Sequence, residues 1–436
     1  MKRGTRPTQT LPVAALAAIL LVAATVATGA APAAGTADPL PRVAPARQGF
    51  SATGLARIDR FYANEIARDR IPGAVVAVAR GGKLVYYKPI GFQDKAAGTP
   101  MKVDAIFNLA SMTKVMTVVG ALTLYEEGRL PLKSPLSVYY PQFGAMQVGV
   151  ADTAGNVVNE PSKHPIFVQD LMRHTSGLTY GARGNSAVHK LYPGSSVAAA
   201  FDMTGPQFID KLSKLPLVYQ PGTTWDYGFS TDVLGLVVEK VTGKTLGGAL
   251  DERVWSWLGM RDTTFAVPTD KRDRLAKALP NDPITGKPQD LRILRDQPKF
   301  DCGGSCAFST AADYIRFGQM LLNGGMLEGA RILSPKTVRL MTSDHLGKHI
   351  RNNVAGTEAG RDGYGFGLGV AVRTEPGVAA TNGTVGDYTW NGANGTIFWV
   401  DPQEQLVVVV MSVGPGEIRK YYREQLAALV YGAMER

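Results

Sequence analysis

A helical run that is apolar on most of its sides constrains this chain more than any other feature. It follows Phe107, continues through closely spaced valine, methionine and leucine residues, and stops at Gly128. A helix with an apolar surface all round is stable only when other elements cover it. The sequence therefore predicts a central buried helix with the rest of the chain packed around it.

Two polar side chains stand where this buried helix begins. The positive end of the helix dipole lies beside the hydroxyl of Ser111, and Lys114 follows three residues later on the same face. Burial penalises the charged form of an amine, which favours its use as a base towards a neighbouring hydroxyl. The alternative interpretation is a capping serine and a lysine that reaches solvent. Ser111 and Lys114 are thus the candidate nucleophile and base.

Runs rich in β-forming residues lie near both ends of the chain. Two of them flank Gly81-Gly82 and predict a hairpin, and three more lie close to the C-terminus. We expect all five to form one antiparallel sheet. The runs are Ala74 to Ala79, Leu84 to Tyr87, Leu368 to Val372, Thr396 to Val400 and Leu406 to Met411.

The middle of the chain favours helices that are separated by prolines and glycines. These predicted helices are Ile166 to Met172, Gln207 to Leu215, Thr231 to Val241, Leu246 to Trp257 and Ala311 to Leu322, and an amphipathic helix precedes the hairpin at Ala52 to Arg70. The sequence thus predicts an α+β fold, in which an antiparallel sheet built from both chain ends is flanked by helices and carries a mainly helical inserted region. The sheet part is expected at about 51–130 and 364–436, and the helical part at about 131–363, with a cleft between them.

The N-terminus has the order of a secretory signal peptide: basic residues, an apolar stretch from Leu11 to Ala27, and small residues. We assign residues 1–33 to the signal peptide, 34–50 to a linker and 51–436 to the folded domain, and expect a periplasmic or secreted protein without stable membrane insertion. An uncleaved N-terminal anchor is the alternative. Cys302 and Cys306 either form a disulfide in an oxidising compartment or remain two buried thiols.

The order of three motifs resembles the serine β-lactamase and penicillin-binding protein superfamily, in particular class C-like enzymes and their esterase relatives. The first motif is Ser111-Met112-Thr113-Lys114, the second is Pro221-Gly222-Thr223-Thr224-Trp225-Asp226-Tyr227, and the third is Trp390-Asn391-Gly392-Ala393. This resemblance covers nearly all of the mature chain and implies a β-lactamase/transpeptidase-like fold.

The resemblance also assigns roles to individual residues. Tyr227 takes the position of the catalytic tyrosine, where a phenol can pass a proton between Ser111 and a leaving group. Without the resemblance, it could be a buried tyrosine with one structural hydrogen bond. The amides of Ser111 and Ala393 are expected to hold the oxyanion. Gly392 would let strand and substrate approach closely, and Trp390, whose alternative role is simple packing, and Asn391 would line the cleft.

Two positions depart from the family pattern. Trp390 replaces a lysine, which removes the cation that recognises a substrate carboxylate. Phe229 replaces an asparagine two residues after the tyrosine, which removes an amide able to bind a peptide-like group. Both changes make the predicted cleft less polar, which favours an uncharged acyl group.

The leading hypothesis is therefore a serine hydrolase that cleaves small-molecule esters through an acyl-enzyme at Ser111, without a metal or organic cofactor. The alternatives are a β-lactamase or D-amino-acid-specific peptidase that acts on amides, an acyltransferase, and a non-catalytic sensor. The formal net charge of +10 is spread thinly and forms no basic stripe with interleaved aromatics, so nucleic acid binding is not expected.

Overall fold

The computed structural model describes residue 1 and residues 38–151, 156–358 and 360–435. Apart from Met1, the predicted signal peptide 1–33 lies outside the described residues, as does the beginning of the predicted linker. From Asp38 onward the linker segment packs on the domain: Leu40 and Phe50 are buried, and Arg42 forms a parallel bridge with Leu84.

The main sheet of the described chain has eight strands in the order β10-β11-β12-β13-β14-β1-β2-β3, and each neighbouring pair is antiparallel. Strands from the two chain ends meet where β1 pairs with β14, and the predicted sheet is thereby confirmed. The strands are β1 Gly73–Arg80, β2 Lys83–Asp94, β3 Thr99–Pro100, β4 Phe107–Asn108, β5 Gln147–Ala151, β6 Val157–Pro161, β7 Phe308–Ser309, β8 Met326–Leu327, β9 Ala330–Arg331, β10 Tyr364–Phe366, β11 Ala371–Arg373, β12 Tyr388–Asn391, β13 Ile397–Asp401 and β14 Leu406–Ser412.

Helices cover both faces of this sheet. Their bounds are α1 Ala52–Ala67, α2 Thr113–Glu126, α3 Val168–Met172, α4 Ser196–Asp202, α5 Gly205–Ser213, α6 Ser230–Thr242, α7 Leu246–Leu250, α8 Ala311–Leu322, α9 Pro335–Met341 and α10 Ile418–Tyr431. Helices α1 and α10 pack together on one face, whereas α2 and α8 belong to the larger core on the other.

The central strands β1 and β14 explain this layered arrangement. Their side chains alternate between the two cores, so that Val75 and Val409 face the larger core while Val76 and Val408 face helices α1 and α10. All four are completely buried, which suits strands made almost wholly of valine and alanine. The two faces of one sheet therefore support two separate apolar layers.

Several elements differ from the sequence predictions. Helix α8, which the sequence placed in the inserted region, packs against β14 and β1. The segment predicted as one helix from Leu246 to Trp257 is an α-helix that ends at Leu250 and continues as a π-helix over Asp251–Trp255. Strands β10 and β12 and helix α10 had no predicted counterpart. The two strands have only three or four residues each, which is too short for a periodic pattern to stand out.

Cys302 and Cys306 form a disulfide in the structure, and both residues are buried. The bond closes a short loop that contains Gly303 and Gly304. This outcome settles the choice left open between a disulfide and two free thiols. Among the residues with described structure, no helix is long and apolar enough to cross a membrane.

We expect Leu426→Ala to lower the free energy of unfolding by about 2–5 kcal/mol, because it leaves a cavity in the layer between α10 and the sheet. The measurement is urea denaturation followed by circular dichroism. Leu429→Ala on the same helix is the control, since Leu429 is only partly buried and should cost less. Equal losses for the two variants would contradict this account of the layer.

Candidate active site

Ser111 lies in a tight turn ahead of the central helix. Residues Ala110–Met112 form a 3₁₀ turn, and α2 continues from Thr113. Ala110 has a φ of 45°, a left-handed conformation that is strained for a residue with a side chain. The Thr113 hydroxyl holds this turn by donating to the Ala110 carbonyl at 2.7 Å. The strained turn leaves Ser111 partly exposed at the start of a helix that is buried from Thr113 to Leu124.

The side chain of Lys114 is buried and points to Ser111. It is 1% exposed, so the alternative of a lysine that reaches solvent is excluded. Its Nζ lies 3.5 Å from the Ser111 Oγ, 3.2 Å from the Tyr180 hydroxyl and 2.7 Å from the Gly304 carbonyl oxygen. The amine thus has three polar neighbours, and the disulfide loop supplies the shortest of these contacts.

Tyr227 completes a three-residue group with Ser111 and Lys114. The Lys114 Nζ lies 4.5 Å from the centroid of the Tyr227 ring. The Tyr227 hydroxyl accepts a hydrogen bond from the Trp390 indole nitrogen at 3.4 Å, and its ring stacks on Trp225. Tyr227 is therefore held by aromatic neighbours, with its ring face rather than its hydroxyl towards the amine.

His174 lies behind Tyr227 and does not contact Ser111. Its ring centroid is 4.8 Å from that of Tyr227, and its Nε2 lies 3.3 Å from the Thr231 hydroxyl. Burial lowers the pKa of His174 well below its usual value, and the charge of Lys114 lowers it further. The ring is therefore neutral at neutral pH and supports the tyrosine by packing.

A buried polar network beside Lys114 was missed by the sequence analysis. The Tyr180 hydroxyl lies 2.6 Å from the Ser196 Oγ, which donates to Asp232 at 2.7 Å. The amide of Gly304 also donates to Asp232, at 3.0 Å. These residues come from distant parts of the chain, so no local spacing could have revealed them.

Burial sets the protonation state of this network. It raises the pKa of Tyr180 well above its usual value, and the nearby carboxylate of Asp232 adds to the effect. Burial also raises the pKa of Asp232, although the charge of Lys114 opposes this change. Tyr180 therefore keeps its proton. Its oxygen can accept a hydrogen bond from Lys114 while its O–H donates a hydrogen bond to Ser196.

The third motif approaches the nucleophile through its glycine. A Cβ atom on Gly392 would lie 2.2 Å from the carbonyl oxygen of Leu109, two residues before Ser111. The hydroxyl of Thr396 donates to the same oxygen at 3.0 Å and fixes the approach. Ala393 follows as an exposed residue in the turn after β12. The structure thus brings the predicted oxyanion segment against the turn that carries Ser111.

Trp390 belongs to the site as a buried neighbour of Tyr227. Its side chain is 1% exposed, so its contact surface is taken by protein rather than open to a ligand. The Arg361 guanidinium lies 4.2 Å from the Trp390 ring centroid, and Phe366 packs edge-on against the same ring. The hydrogen bond to Tyr227 shows that the indole does more than fill space.

Besides Trp390, whose surface is covered by protein rather than open to the cleft as predicted, two more predicted substrate-binding side chains do not line the cleft. Asn391 donates to the Glu358 carboxylate on the other face of the sheet, because successive side chains of a strand alternate and Trp390 occupies the Ser111 face. Phe229 has no exposed surface and packs edge-on against the Tyr180 ring at 4.6 Å. We therefore correct both assignments: Asn391 lies behind the sheet, and Phe229 supports Tyr180.

The chain is similar to known proteins over most of its length. The model of the Beta-lactamase family matches residues 58–431. Protein Rv1367c of Mycobacterium tuberculosis is 35% identical over 355 residues, which cover 78% of this chain and 85% of that protein. Esterase EstB of Burkholderia gladioli is 30% identical over 385 residues, which cover 83% and 91% respectively.

A solved structure shows the same fold. EstCE1, described as a hydrolase with promiscuous acyltransferase activity, superposes with a TM-score of 0.70 at 26% identity. The match covers 87% of this chain and 99% of EstCE1. The fold is therefore shared over almost the whole length of that hydrolase.

We expect Gly392→Ala to slow fluorophosphonate labelling of Ser111 by roughly 100-fold, the effect of losing an oxyanion donor. The added Cβ would collide with the Leu109 carbonyl and push the strand end away from Ser111. Gly194→Ala is the matched control, because a Cβ there meets nothing within 4 Å. Equal labelling rates for both variants would contradict the close approach, as measured by time-resolved mass spectrometry.

Proposed function

This chain belongs to the beta-lactamase family, and from that membership and the geometry of its site we propose that it hydrolyses carboxylic esters through an acyl-enzyme on Ser111. The observation that carries the proposal is the set of contacts around Lys114. An uncharged amine has two N–H donors and one lone pair. The Lys114 Nζ donates to the Gly304 carbonyl, the Tyr180 hydroxyl and the Ser111 hydroxyl. Once the amine releases a proton, the first two acceptors would hold its N–H groups and its lone pair would face Ser111.

This pattern supports Lys114 as the base of the first step. The Ser111 oxygen attacks the ester carbon while its proton passes to the amine, and the carbonyl electrons move to the oxygen. The distance of 3.5 Å is long for a proton transfer, but such contacts commonly shorten when substrate binds. The amides of Ser111 and Ala393 receive the oxyanion.

Tyr227 would deliver a proton to the departing alcohol. Its hydroxyl oxygen already accepts a hydrogen bond from Trp390, which leaves the hydroxyl proton free to be donated to the leaving group. The leaving alkoxide takes the proton of the Tyr227 hydroxyl, and the proton that Lys114 removed from Ser111 then restores the phenol. Water then attacks the acyl carbon, and the bond to Ser111 breaks. This step releases the free acid and restores the Ser111 hydroxyl.

The surroundings of Trp390 support an uncharged acyl group. The aromatic ring stands where the family pattern has a lysine, and the guanidinium of Arg361, which packs on this ring, is only 5% exposed. A substrate carboxylate would therefore lose the ion pair that such a lysine provides. The similarity to esterase EstB also favours an ester over a β-lactam. We further propose, from the predicted signal peptide, that the enzyme acts after export.

We expect the purified protein to hydrolyse p-nitrophenyl butyrate and Ser111→Ala to lose this activity. Lys114→Met and Tyr227→Phe should each lower kcat by roughly 100- to 10,000-fold, the range typical of a lost general acid or base. Ser343→Ala is the matched control, because Ser343 is exposed on the surface after α9. Equal rates for Ser111→Ala and Ser343→Ala would reject the nucleophile.

The same protein should be offered a chromogenic cephalosporin, a D-Ala-D-Ala peptide and an alcohol acceptor. We expect the aryl ester to have the highest kcat/KM of these substrates. More efficient cephalosporin or peptide turnover would replace the ester assignment with a β-lactamase or peptidase. Formation of a new ester with the alcohol, faster than release of the acid, would instead identify an acyltransferase.

A further inference from the structure

We propose that Arg423 and Glu358 are positioning residues, which aim the oxyanion-binding amide of Ala393 from the opposite face of the sheet. The inference deepens the proposed function and rests on it, because an oxyanion forms only if Ser111 attacks an acyl carbon. Neither residue belongs to the three motifs, and neither contacts Ser111, Lys114 or Tyr227 directly.

Arg423 reaches the third motif from the C-terminal helix. It lies on α10, which covers the sheet face opposite α2, and it is 6% exposed. Its Nη2 donates to the carbonyl oxygen of Gly392 and, at 3.3 Å, to that of Thr396. One guanidinium thus holds both ends of the turn that contains Ala393.

Because a peptide group is planar, the contact between Arg423 and the Gly392 carbonyl also fixes the direction of the Ala393 N–H. The carbonyl of Gly392 and the N–H of Ala393 belong to the same peptide unit, which is planar and trans, so they point in opposite directions. The carbonyl is directed to Arg423 and also accepts from the amide of Gly395 at 3.1 Å. The N–H of Ala393 is therefore directed away from α10, to the face that carries Ser111.

The positive charge of Arg423 adds an electronic effect. A charged donor on a carbonyl oxygen polarises the peptide and makes its N–H a stronger donor. The oxyanion would meet an amide that is both aimed and polarised before the substrate arrives. Such preorganisation is the property that makes an oxyanion hole effective.

Glu358 keeps the guanidinium in place. Both of its carboxylate oxygens accept from the Arg423 Nη1 at 2.6 Å, and one of them also accepts from the Asn391 side chain. Burial opposes ionisation of Glu358, but the charges of Arg423 and Arg361 outweigh it and lower the pKa of the carboxyl group. Asn391, which faces away from the cleft, thus joins the same support.

The test compares Arg423→Met with Arg419→Met, the same substitution one helical turn away. Arg419 donates to the carbonyl of Gly416 and has no hydrogen bond to the third motif. The measurements are kcat and KM for p-nitrophenyl butyrate, the inhibition constant of phenylboronic acid, and thermal unfolding. The boronate adduct of Ser111 places an oxygen where the oxyanion forms, so its affinity reports on that site.

We expect Arg423→Met to lower kcat by about 10- to 100-fold, less than the full loss of an oxyanion donor, with KM changed less than about threefold. The inhibition constant of phenylboronic acid should rise by the same factor as kcat/KM falls. Arg419→Met should keep both values close to wild type. Glu358→Gln keeps the Arg423 contact to Gly392 but removes its counter-charge, so we expect a smaller loss.

A purely structural ion pair would change the unfolding temperature without a matched loss of kcat and boronate affinity, and that result would overturn the inference. If Arg423→Met does not fold, Arg423→Lys and Glu358→Gln decide in its place, and near-wild-type kinetics for both would likewise overturn it. Failure of the wild type to hydrolyse any ester would be a different result, since it would reject the proposed function itself.

Discussion

The burial of one amine organises the centre of this molecule. Lys114 lies on a helix with almost no exposed surface, so its Nζ cannot turn to solvent for hydrogen bonds. If the amine had no hydrogen-bond partner there, the free-energy penalty would exceed the stabilisation from packing the alkyl chain of Lys114. The disulfide loop and Tyr180 supply the partners, and the remaining direction is left for Ser111. The hydrogen bonds that satisfy this buried amine therefore also hold it beside the Ser111 hydroxyl.

The loop between the two cysteines shows how this solution is kept in place. Gly304 offers its carbonyl to Lys114 and its amide to Asp232, so one residue links the amine to the buried carboxylate network. A Cβ on Gly304 would lie 2.5 Å from the Asp232 carboxylate, which explains why glycine occupies this position. The disulfide thus supports the site, although both cysteines are far along the chain from Ser111 and Lys114.

The sequence predicted features that depend on local pattern and missed those that depend on the tertiary fold. The central helix, the Ser111–Lys114 pair and the sheet from both chain ends follow from periodicity and spacing, and the structure contains them. Tyr180 and Asp232 meet only because distant segments fold together. The prediction for Asn391 was wrong because strand β12 is too short to show which of its side chains face the cleft. The prediction for Phe229 was wrong because its position in the family motif does not reveal whether its side chain is buried.

The pairing of β1 with β14 determines when the main sheet can form during folding. Residues near the N-terminus find their neighbouring strand only in the last stretch of the chain, since Val76 pairs with Val410. The ribosome therefore releases the first hairpin long before its partner exists. Closing so large a loop is slow compared with forming a local contact. Until the final strand emerges, the valine-rich edge of the hairpin stays uncovered, so that an unpaired strand edge is open to aggregation unless a chaperone covers it.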